Sequence, residues 1–341
     1  MHTKLAPLAL ALALALVIGP WSLVLAQGPL TPPGAPAPTM KTLDQVEART
    51  IVNSTNTPGG GGSAFIISAP GSYYLGGNVT VSSGNAVTIS ADDVTLDLNG
   101  FTVSSAASPA AGTGVVINAV RNVAVLNGHV HGTTTFASGT FTPGGFINGV
   151  RSVSSAGFNQ RVSGIGVLGV SGDGIDLQNS TDPTNLVERC VVAVCGGAGI
   201  RAAIIRDCGA KNTGANAISG EIVSHCFGQT VNSVSTAFGI LATSMADNCR
   251  GIADTGTGVS AVNATNCRAT STSGVGLTAA NAHNCEGIST SGAAGINIIT
   301  GTASFCRGQR AGGVAIAATN AVACTSNGGT INATTKSLGT P

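Results

Sequence analysis

Eight cysteines recur at nearly constant spacing in the C-terminal half of the chain, and this period constrains the fold more than any other feature. Successive members are separated by 18, 18, 23, 18, 18, 21 and 18 residues. Such a period indicates a repeat architecture, in which each repeat adds one unit to a continuous stack. The series consists of Cys190, Cys208, Cys226, Cys249, Cys267, Cys285, Cys306 and Cys324.

Three further positions recur in the same register, which indicates inward-facing columns. Small or β-branched residues stand three positions before the cysteines: Val187, Ile205, Val223, Ala246, Ala264, Ala282, Ala303 and Ala321. Small residues stand two positions after most of them: Ala210, Gly228, Gly251, Ala269, Gly287, Gly308 and Ser326. Larger apolar residues lie between the cysteines: Ile200, Ile218, Ile240, Val259, Leu277, Ile296 and Ile316.

The length and composition of the repeat favour strands over helices. Eighteen residues are too few for two packed helices, because helical repeats need more than about 30 residues. The repeats are rich in Val, Ile, Thr, Asn and Gly, which suits short strands joined by tight corners. The sequence therefore predicts an all-β parallel β-helix, or β-solenoid, with one coil per repeat and coils about 4.8 Å apart.

This geometry predicts that the cysteines are buried free thiols. Stacked Cβ atoms would lie about 4.8 Å apart with parallel vectors, whereas a disulfide needs about 3.8 Å and converging ones. The total of nine cysteines also leaves at least one unpaired. The alternatives are a metal-binding or catalytic thiol, but zinc needs four converging ligands. His225 and His283 stand at different offsets from their cysteines and form no repeated Cys-His pair.

The sequence before the coils divides into three segments. Residues 1–26 have the layout of a secretory signal peptide, with Lys4 followed by a long apolar run that ends at Ala26. The alternative is an uncleaved anchor, because the run is long enough to span a bilayer. Residues 27–39 form a Pro-rich linker. Residues 40–62 are predicted to be a short capping helix and loop, because Thr42–Gln45 fits a capping box.

The remaining chain is predicted to be one parallel β-helix over residues 63–333, followed by a polar tail over 334–341. Strand-like alternation begins at Ala64, and the less regular stretch Thr133–Arg161 predicts long loops. No later segment is long and apolar enough to span a membrane, so no membrane span is expected after signal cleavage. The chain is predicted to be secreted or held in the cell envelope.

Charge and composition exclude one class of partner. The chain has 15 basic and 14 acidic residues, and loss of Lys4 with the leader would leave it formally neutral. Because no basic cluster is visible in the sequence, nucleic-acid binding has no electrostatic support. The sequence does not specify an oligomeric state.

Three segments carry a family resemblance: Gly71–Leu75, Val87–Gly100 and Arg121–Gly128, the last reading RNVAVLNG. They resemble the opening coils of secreted bacterial right-handed parallel β-helix proteins with the pectin-lyase-like fold. The resemblance covers most of the chain after the leader, and it rests on core and corner residues. It implies a right-handed coil and a carbohydrate-related role, with polysaccharide as the expected partner.

Lyases and hydrolases of that family use clustered carboxylates, in the lyases with calcium. Asp173 and Asp176, in the stretch SGDGIDL, are the candidate catalytic carboxylates, and with Asp182 they are the candidate calcium ligands. His129 and His131 are further catalytic candidates, since they project from one side of a strand. The other hydrolase motifs of the family do not follow in order. The structural alternative is that these aspartates accept corner backbone amides.

Two surface features recur with the cysteines. Asn248, Asn266 and Asn284 directly precede cysteines, which predicts a stack of asparagines at a corner. Arg250, Arg268 and Arg307 directly follow cysteines, with Glu286 interrupting the series. This is an exposed stripe that a polyanionic glycan could contact, or a solvated surface.

These observations favour an exported, non-catalytic scaffold or weak polysaccharide binder that needs no cofactor. The alternative is a diverged polysaccharide lyase or glycoside hydrolase acting on an acidic polysaccharide, with calcium as its possible cofactor. Convergence of carboxylates with Arg151 or Arg161 in one outer cleft would favour the enzyme. Fold alone does not decide between them.

Overall fold

The computed structural model describes residues 48–153, 157–178, 183–232, 236–337 and 339. The chain divides into two units, of which the second, Arg49–Pro341, contains the described residues from 49 onward. The predicted signal peptide, linker and capping helix, and the calcium candidate Asp182, lie outside the described residues. All strands described below belong to the second unit.

The second unit is a parallel β-solenoid of about 13 turns, and no described residue is helical. The predicted fold class is thereby confirmed. The strands are β1 (Thr50–Val52), β2 (Ser63–Ile67), β3 (Gly71–Leu75), β4 (Val79–Val81), β5 (Asn85–Ile89), β6 (Val94–Asp97), β7 (Thr102–Ser105), β8 (Thr113–Ile117), β9 (Val123–His131), β10 (Thr135–Ala137), β11 (Thr140–Thr142), β12 (Asn148–Ser152), β13 (Gln160–Val170), β14 (Ile175–Asp176), β15 (Leu186–Glu188), β16 (Val191–Cys195), β17 (Ile200–Arg201), β18 (Ile204–Arg206), β19 (Gly209–Thr213), β20 (Ile218–Ser224), β21 (Phe227–Thr230), β22 (Phe238–Asp247), β23 (Arg250–Ala253), β24 (Thr257–Thr265), β25 (Arg268–Ser271), β26 (Leu277–His283), β27 (Glu286–Ser289), β28 (Ala294–Ile298), β29 (Thr302–Ser304), β30 (Arg307–Val322) and β31 (Thr325–Ser337).

The strands stack in three parallel ladders, each with one apolar column that faces the interior. Ladder A begins at β2, and its column is Phe65, Val87, Val115, Val150, Ile175, Ile200, Ile218, Ile240, Val259, Leu277, Ile296, Ile316 and Ile331. Ladder B carries Tyr73, Leu96, Val125, Val162, Val187, Ile205, Val223, Ala246, Ala264, Ala282, Ala303 and Ala321. Ladder C carries Val79, Val103, Val130, Val167, Val192, Ala210, Gly228, Gly251, Ala269, Gly287, Gly308 and Ser326.

The three predicted periodic columns are therefore confirmed, each in its own ladder. The side chains of ladders B and C become smaller toward the C-terminus, where Ala and Gly replace Val and Ile. Ladder C then lies so close to ladder A that a Cβ atom at Gly251 would stand 2.0 Å from the carbonyl oxygen of Gly258. Glycine is required there because no side-chain atom fits between the two backbones.

The corner between ladders B and C contains the cysteine series. Each residue before a cysteine of the series adopts a left-handed conformation, with φ between 50° and 55° (Arg189, Asp207, His225, Asn248, Asn266, Asn284, Phe305 and Ala323). Asn tolerates this conformation better than most residues, which explains its recurrence at the corner. The Asn284 Nδ2 group donates to Asn266 Oδ1 at 2.8 Å, so the predicted asparagine stack is confirmed for this pair.

All nine cysteines are free and buried, as predicted. Each thiol of the corner series lies within hydrogen-bond distance of the carbonyl oxygen two residues earlier; for Cys226 the acceptor is Ser224, at 3.0 Å. Backbone N–H groups of Cys190 and Cys267 donate to the thiol sulfur of the next coil at 3.4 and 3.5 Å. The series therefore packs as small apolar side chains that also satisfy corner polar groups.

The strand boundaries differ from the sequence prediction at both ends. β1 lies inside the range 40–62, which the sequence assigned to a helix and loop. It is a strand that pairs in parallel with β3. β31 continues through Ser337, beyond the predicted boundary at residue 333, and pairs with β30. The reason at this end is that ladder pairing needs only backbone donors and acceptors, so polar residues can extend an edge strand. The irregular stretch after β9 contains the antiparallel hairpin of β10 and β11.

Candidate functional site

Asp173 and Asp176 meet at one arginine on the outer surface of ladder A. Arg201 Nη2 donates to Asp176 Oδ2 at 2.9 Å and also to Asp173 Oδ2. Arg151 lies in register with Asp176, one coil before it. The two predicted carboxylates and Arg151 are thus brought together, and the sequence analysis missed their partner Arg201. The sequence feature that could have revealed Arg201 is the step of 25 residues from Ile175 to Ile200 in ladder A, because the same step places Arg201 beside Asp176.

The remaining oxygens of these aspartates bind the backbone. Asp173 Oδ1 accepts the N–H of Ala198 at 2.7 Å, and Asp176 Oδ1 accepts the N–H of Gln178 at 3.1 Å. Asp176 is 1% exposed, and this burial raises its pKa even though Arg201 acts in the opposite direction. The two carboxylates therefore act as acceptors of corner amides, as the structural alternative predicts.

The calcium prediction gains no geometric support. Within the described ranges, which do not include Asp182, no group of three or more His, Cys, Asp or Glu side chains could hold a metal ion. Asp173 and Asp176 are the described members of the predicted set, and both form ion pairs with Arg201. Calcium takes six or more oxygen ligands, which two such carboxylates do not supply.

His129 and His131 project outward from ladder C, and therefore lie on a different ladder from the two aspartates. Both are exposed. They line an open groove of about 460 Å³ beside Leu168 and Val191, which are 46% and 62% exposed. The structure therefore does not assemble the predicted histidines and aspartates into one site.

A second charged cluster, centred on Glu188, lies on the outer surface of ladder B. Glu188 is 5% exposed and forms ion pairs with Arg161, Arg189 and Arg206. The hydrogen bonds from Arg161 and Arg206 lower the pKa of Glu188 to about 2 against the cost of burial, so it is ionised at neutral pH. We call these four residues the Glu188 cluster.

The sequence showed no basic cluster because the three arginines are far apart along the chain. The signal was present in one place only: Glu188 and Arg206 stand two positions before Cys190 and Cys208. The register confirms that they are neighbours in one outward column. Arg161 comes from an earlier coil that has no cysteine to mark its alignment.

A third feature, the corner groove, runs along the outside of the cysteine series and has a volume of about 600 Å³. Outward-facing side chains from the corner and from ladder C form its walls. They are Asp207, His225, Phe227, Asn248, Arg250, Asn266 and Arg268. The groove thus combines two guanidinium groups, one carboxylate, one imidazole, two amides and one phenyl ring on a single surface.

The arginine stripe predicted from the sequence forms one edge of this groove. Arg250, Arg268, Glu286 and Arg307 align in consecutive coils on ladder C. Arg268 Nε lies 3.0 Å from Glu286 Oε2, and Arg307 Nη1 lies 3.7 Å from Glu286 Oε1. Arg250 forms no ion pair with any described residue, and its guanidinium stands 5.7 Å from the ring centre of Phe227.

Comparisons with known proteins do not identify a family for this chain. No protein-family model matches the chain, and no curated protein matches its sequence. A solved structure, the enzymatically active domain of tailspike protein 2 of bacteriophage CBA120, is similar at 11% identity with a TM-score of 0.24. The match covers 82% of this chain and 43% of that one, so this chain spans less than half its length. Similarity this low establishes no shared site or activity.

Within the described residues, no helix has the length and apolar character needed to cross a bilayer.

Proposed function

We propose that this chain is an exported, non-catalytic β-helix protein of the cell surface or envelope that binds an acidic polysaccharide weakly. The corner groove is the proposed binding surface. The apolar leader over residues 1–26 supports export. The likeness of the opening coils to pectin-lyase-like proteins supports a carbohydrate ligand.

The proposal is carried by the guanidinium of Arg250, which forms no ion pair within the part of the chain that the structure describes. An exposed arginine without a carboxylate partner can form bidentate hydrogen bonds to a uronate carboxylate. Phe227, beside it, offers an apolar face on which a sugar ring can stack. Asn248 and Asn266 supply both donors and acceptors for sugar hydroxyls.

The charges and the solvent exposure of the groove explain why its affinity for a polysaccharide is expected to be weak. Arg268 already shares Glu286 with Arg307, so its attraction for another anion is reduced. The groove has one aromatic side chain, and Arg250 and Arg268 are exposed to water, where ion pairs contribute only about 0–1 kcal/mol each. A long polymer would gain affinity by contacting several coils at once.

Asp173 and Asp176 converge beside Arg151, an arrangement that favours the enzyme, but the hydrogen bonds of the two carboxylates weigh against catalysis. General acid or base chemistry needs a carboxyl oxygen that can reach the substrate. All four carboxyl oxygens of these residues already accept protein hydrogen bonds. The alternative, a diverged lyase or hydrolase, would require Arg201 to move away when substrate binds.

Replacing Arg250 with glutamine should weaken binding of polygalacturonate by up to about fivefold, because an exposed ion pair contributes at most about 1 kcal/mol. Affinity electrophoresis or calorimetry at low salt measures the change, and binding should fall as salt rises. Arg121→Gln is the matched control, since Arg121 also stacks on a phenylalanine, Phe158, but lies outside the groove.

Two results would contradict this proposal. Equal losses for Arg250→Gln and Arg121→Gln would show that general charge, and not the groove, attracts the polymer. Release of unsaturated products that absorb in the ultraviolet, with or without added calcium, would favour the lyase alternative.

A further inference from the structure

The Glu188 cluster carries more positive charge than its own carboxylate can neutralise. Three guanidinium groups surround Glu188, which leaves a net charge of two positive units among the groups in contact. The arginine side chains are 47%, 65% and 50% exposed, whereas the Glu188 side chain is 7% exposed. The anion therefore lies beneath and the cations lie at the surface, where a ligand can reach them.

The hydrogen bonds of the cluster hold the arginines in place without using all their donors. Arg206 donates through Nε to Glu188 Oε2 at 2.9 Å, and Arg161 donates through Nε to Glu188 Oε1 at 3.0 Å. Arg189 Nη2 donates to Ser163 Oγ at 3.0 Å. Each guanidinium has five N–H donors in a rigid fork, so outward-facing donors remain on all three.

Two nearby acidic residues, Asp207 and Asp247, do not form ion pairs with the three arginines of the Glu188 cluster. Asp207 follows Arg189 in the corner column, but its side chain lines the corner groove. Asp247 lies two coils beyond Arg206 in the same outward column, a separation of about 10 Å that is close to one Debye length at physiological salt. Glu188 is therefore the one carboxylate in contact with these arginines among the described residues.

We propose that Arg161, Arg189 and Arg206 form a binding site for a phosphate dianion, either free or as the monoester of a phosphorylated sugar. A dianion would match the net charge of the cluster, and its tetrahedral oxygens would accept hydrogen bonds from several guanidinium forks at once. A single carboxylate would neutralise only half of this charge. The site lies on ladder B and does not depend on the proposed polysaccharide-binding role of the corner groove.

Two substitutions in the cluster should change phosphate affinity in opposite directions. Arg189→Gln removes one outward cation and should weaken binding of inorganic phosphate about tenfold. Arg189 is the most exposed of the three arginines. Its backbone has a left-handed φ of 53°, and glutamine has the same steric difficulty there as arginine, so the substitution adds no backbone strain. Glu188→Gln removes the internal anion and should strengthen binding about tenfold.

Isothermal titration of the full chain with inorganic phosphate, glucose 6-phosphate and acetate tests the site, with circular dichroism to confirm that each variant folds. Tighter binding of glucose 6-phosphate than of phosphate would identify a phosphorylated sugar as the ligand, and the reverse would identify free phosphate. Arg250→Gln, in the corner groove, should leave phosphate binding unchanged, whereas Arg189→Gln should leave polygalacturonate binding unchanged.

The proposal is overturned if neither phosphate compound binds, if acetate binds equally well, or if Arg189→Gln has no effect. Weaker phosphate binding by folded Glu188→Gln would also overturn it. If Glu188→Gln does not fold, the Arg189→Gln titration decides alone. Loss of polygalacturonate binding in Arg250→Gln with phosphate binding intact would separate this site from the corner groove.

Discussion

Replacing Cys267 with aspartate should lower the free energy of unfolding by about 3–5 kcal/mol, because it places an uncompensated charge in a dry interior. Cys267 is 2% exposed, and it stacks between Cys249 and Cys285 of the neighbouring coils. Its thiol donates to the carbonyl oxygen of Thr265 at 3.1 Å, an oxygen that would repel a carboxylate. Urea denaturation followed by circular dichroism measures the loss.

Cys267→Ala is the matched control for this substitution. Alanine keeps a small apolar side chain in the column and loses only the thiol contacts, so the expected cost is about 1 kcal/mol. Because each coil contacts only its neighbours, the aspartate variant should also unfold in its C-terminal coils before the others. Equal midpoints for the aspartate and alanine variants would show that position 267 is not buried in a column.

Replacing Gly251 with valine should destabilise the solenoid by about 3 kcal/mol or more, because the added Cβ atom would collide with the opposite ladder. That atom would stand 2.0 Å from the carbonyl oxygen of Gly258 and 2.6 Å from Val259 Cγ2. The nearest of these is backbone, so ladders A and C would have to separate. Thermal unfolding of the purified variant measures the effect.

Gly209→Val provides the control on the same ladder. A Cβ atom at Gly209 would meet nothing within 4 Å. Valine favours extended backbone, so the expected change in unfolding free energy is within about 1 kcal/mol. If Gly251→Val is as stable as Gly209→Val, the close approach of ladders A and C is wrong.

The cysteine spacing was sufficient to predict the C-terminal coils in detail. Once the cysteines align, residues three before, two after and between them fall into ladders B, C and A, as the registers confirm. The alignment is possible because each coil from Cys190 onward has a cysteine at the same corner. The exposed arginine stripe follows from the same alignment.

The earlier coils and the charged clusters were harder to predict, for a physical reason. Loops of different length separate the inward positions there, so outward residues align only after the backbone is known. His129 pairs with Gly166, 37 residues later, whereas Ser163 pairs with Glu188 after 25. The contacts of Arg161 with Glu188 and of Arg201 with Asp173 depend on such offsets.

The proposed solenoid requires that its cysteines are buried free thiols, and counting the thiols that react before and after unfolding tests this most directly. The purified protein, without reductant, is treated with a maleimide before and after unfolding in urea, and the mass increase is measured. We expect no labelling of the native protein and labelling of all nine cysteines after unfolding. Labelling of several cysteines in the native state, or of fewer than nine after unfolding, would contradict the account.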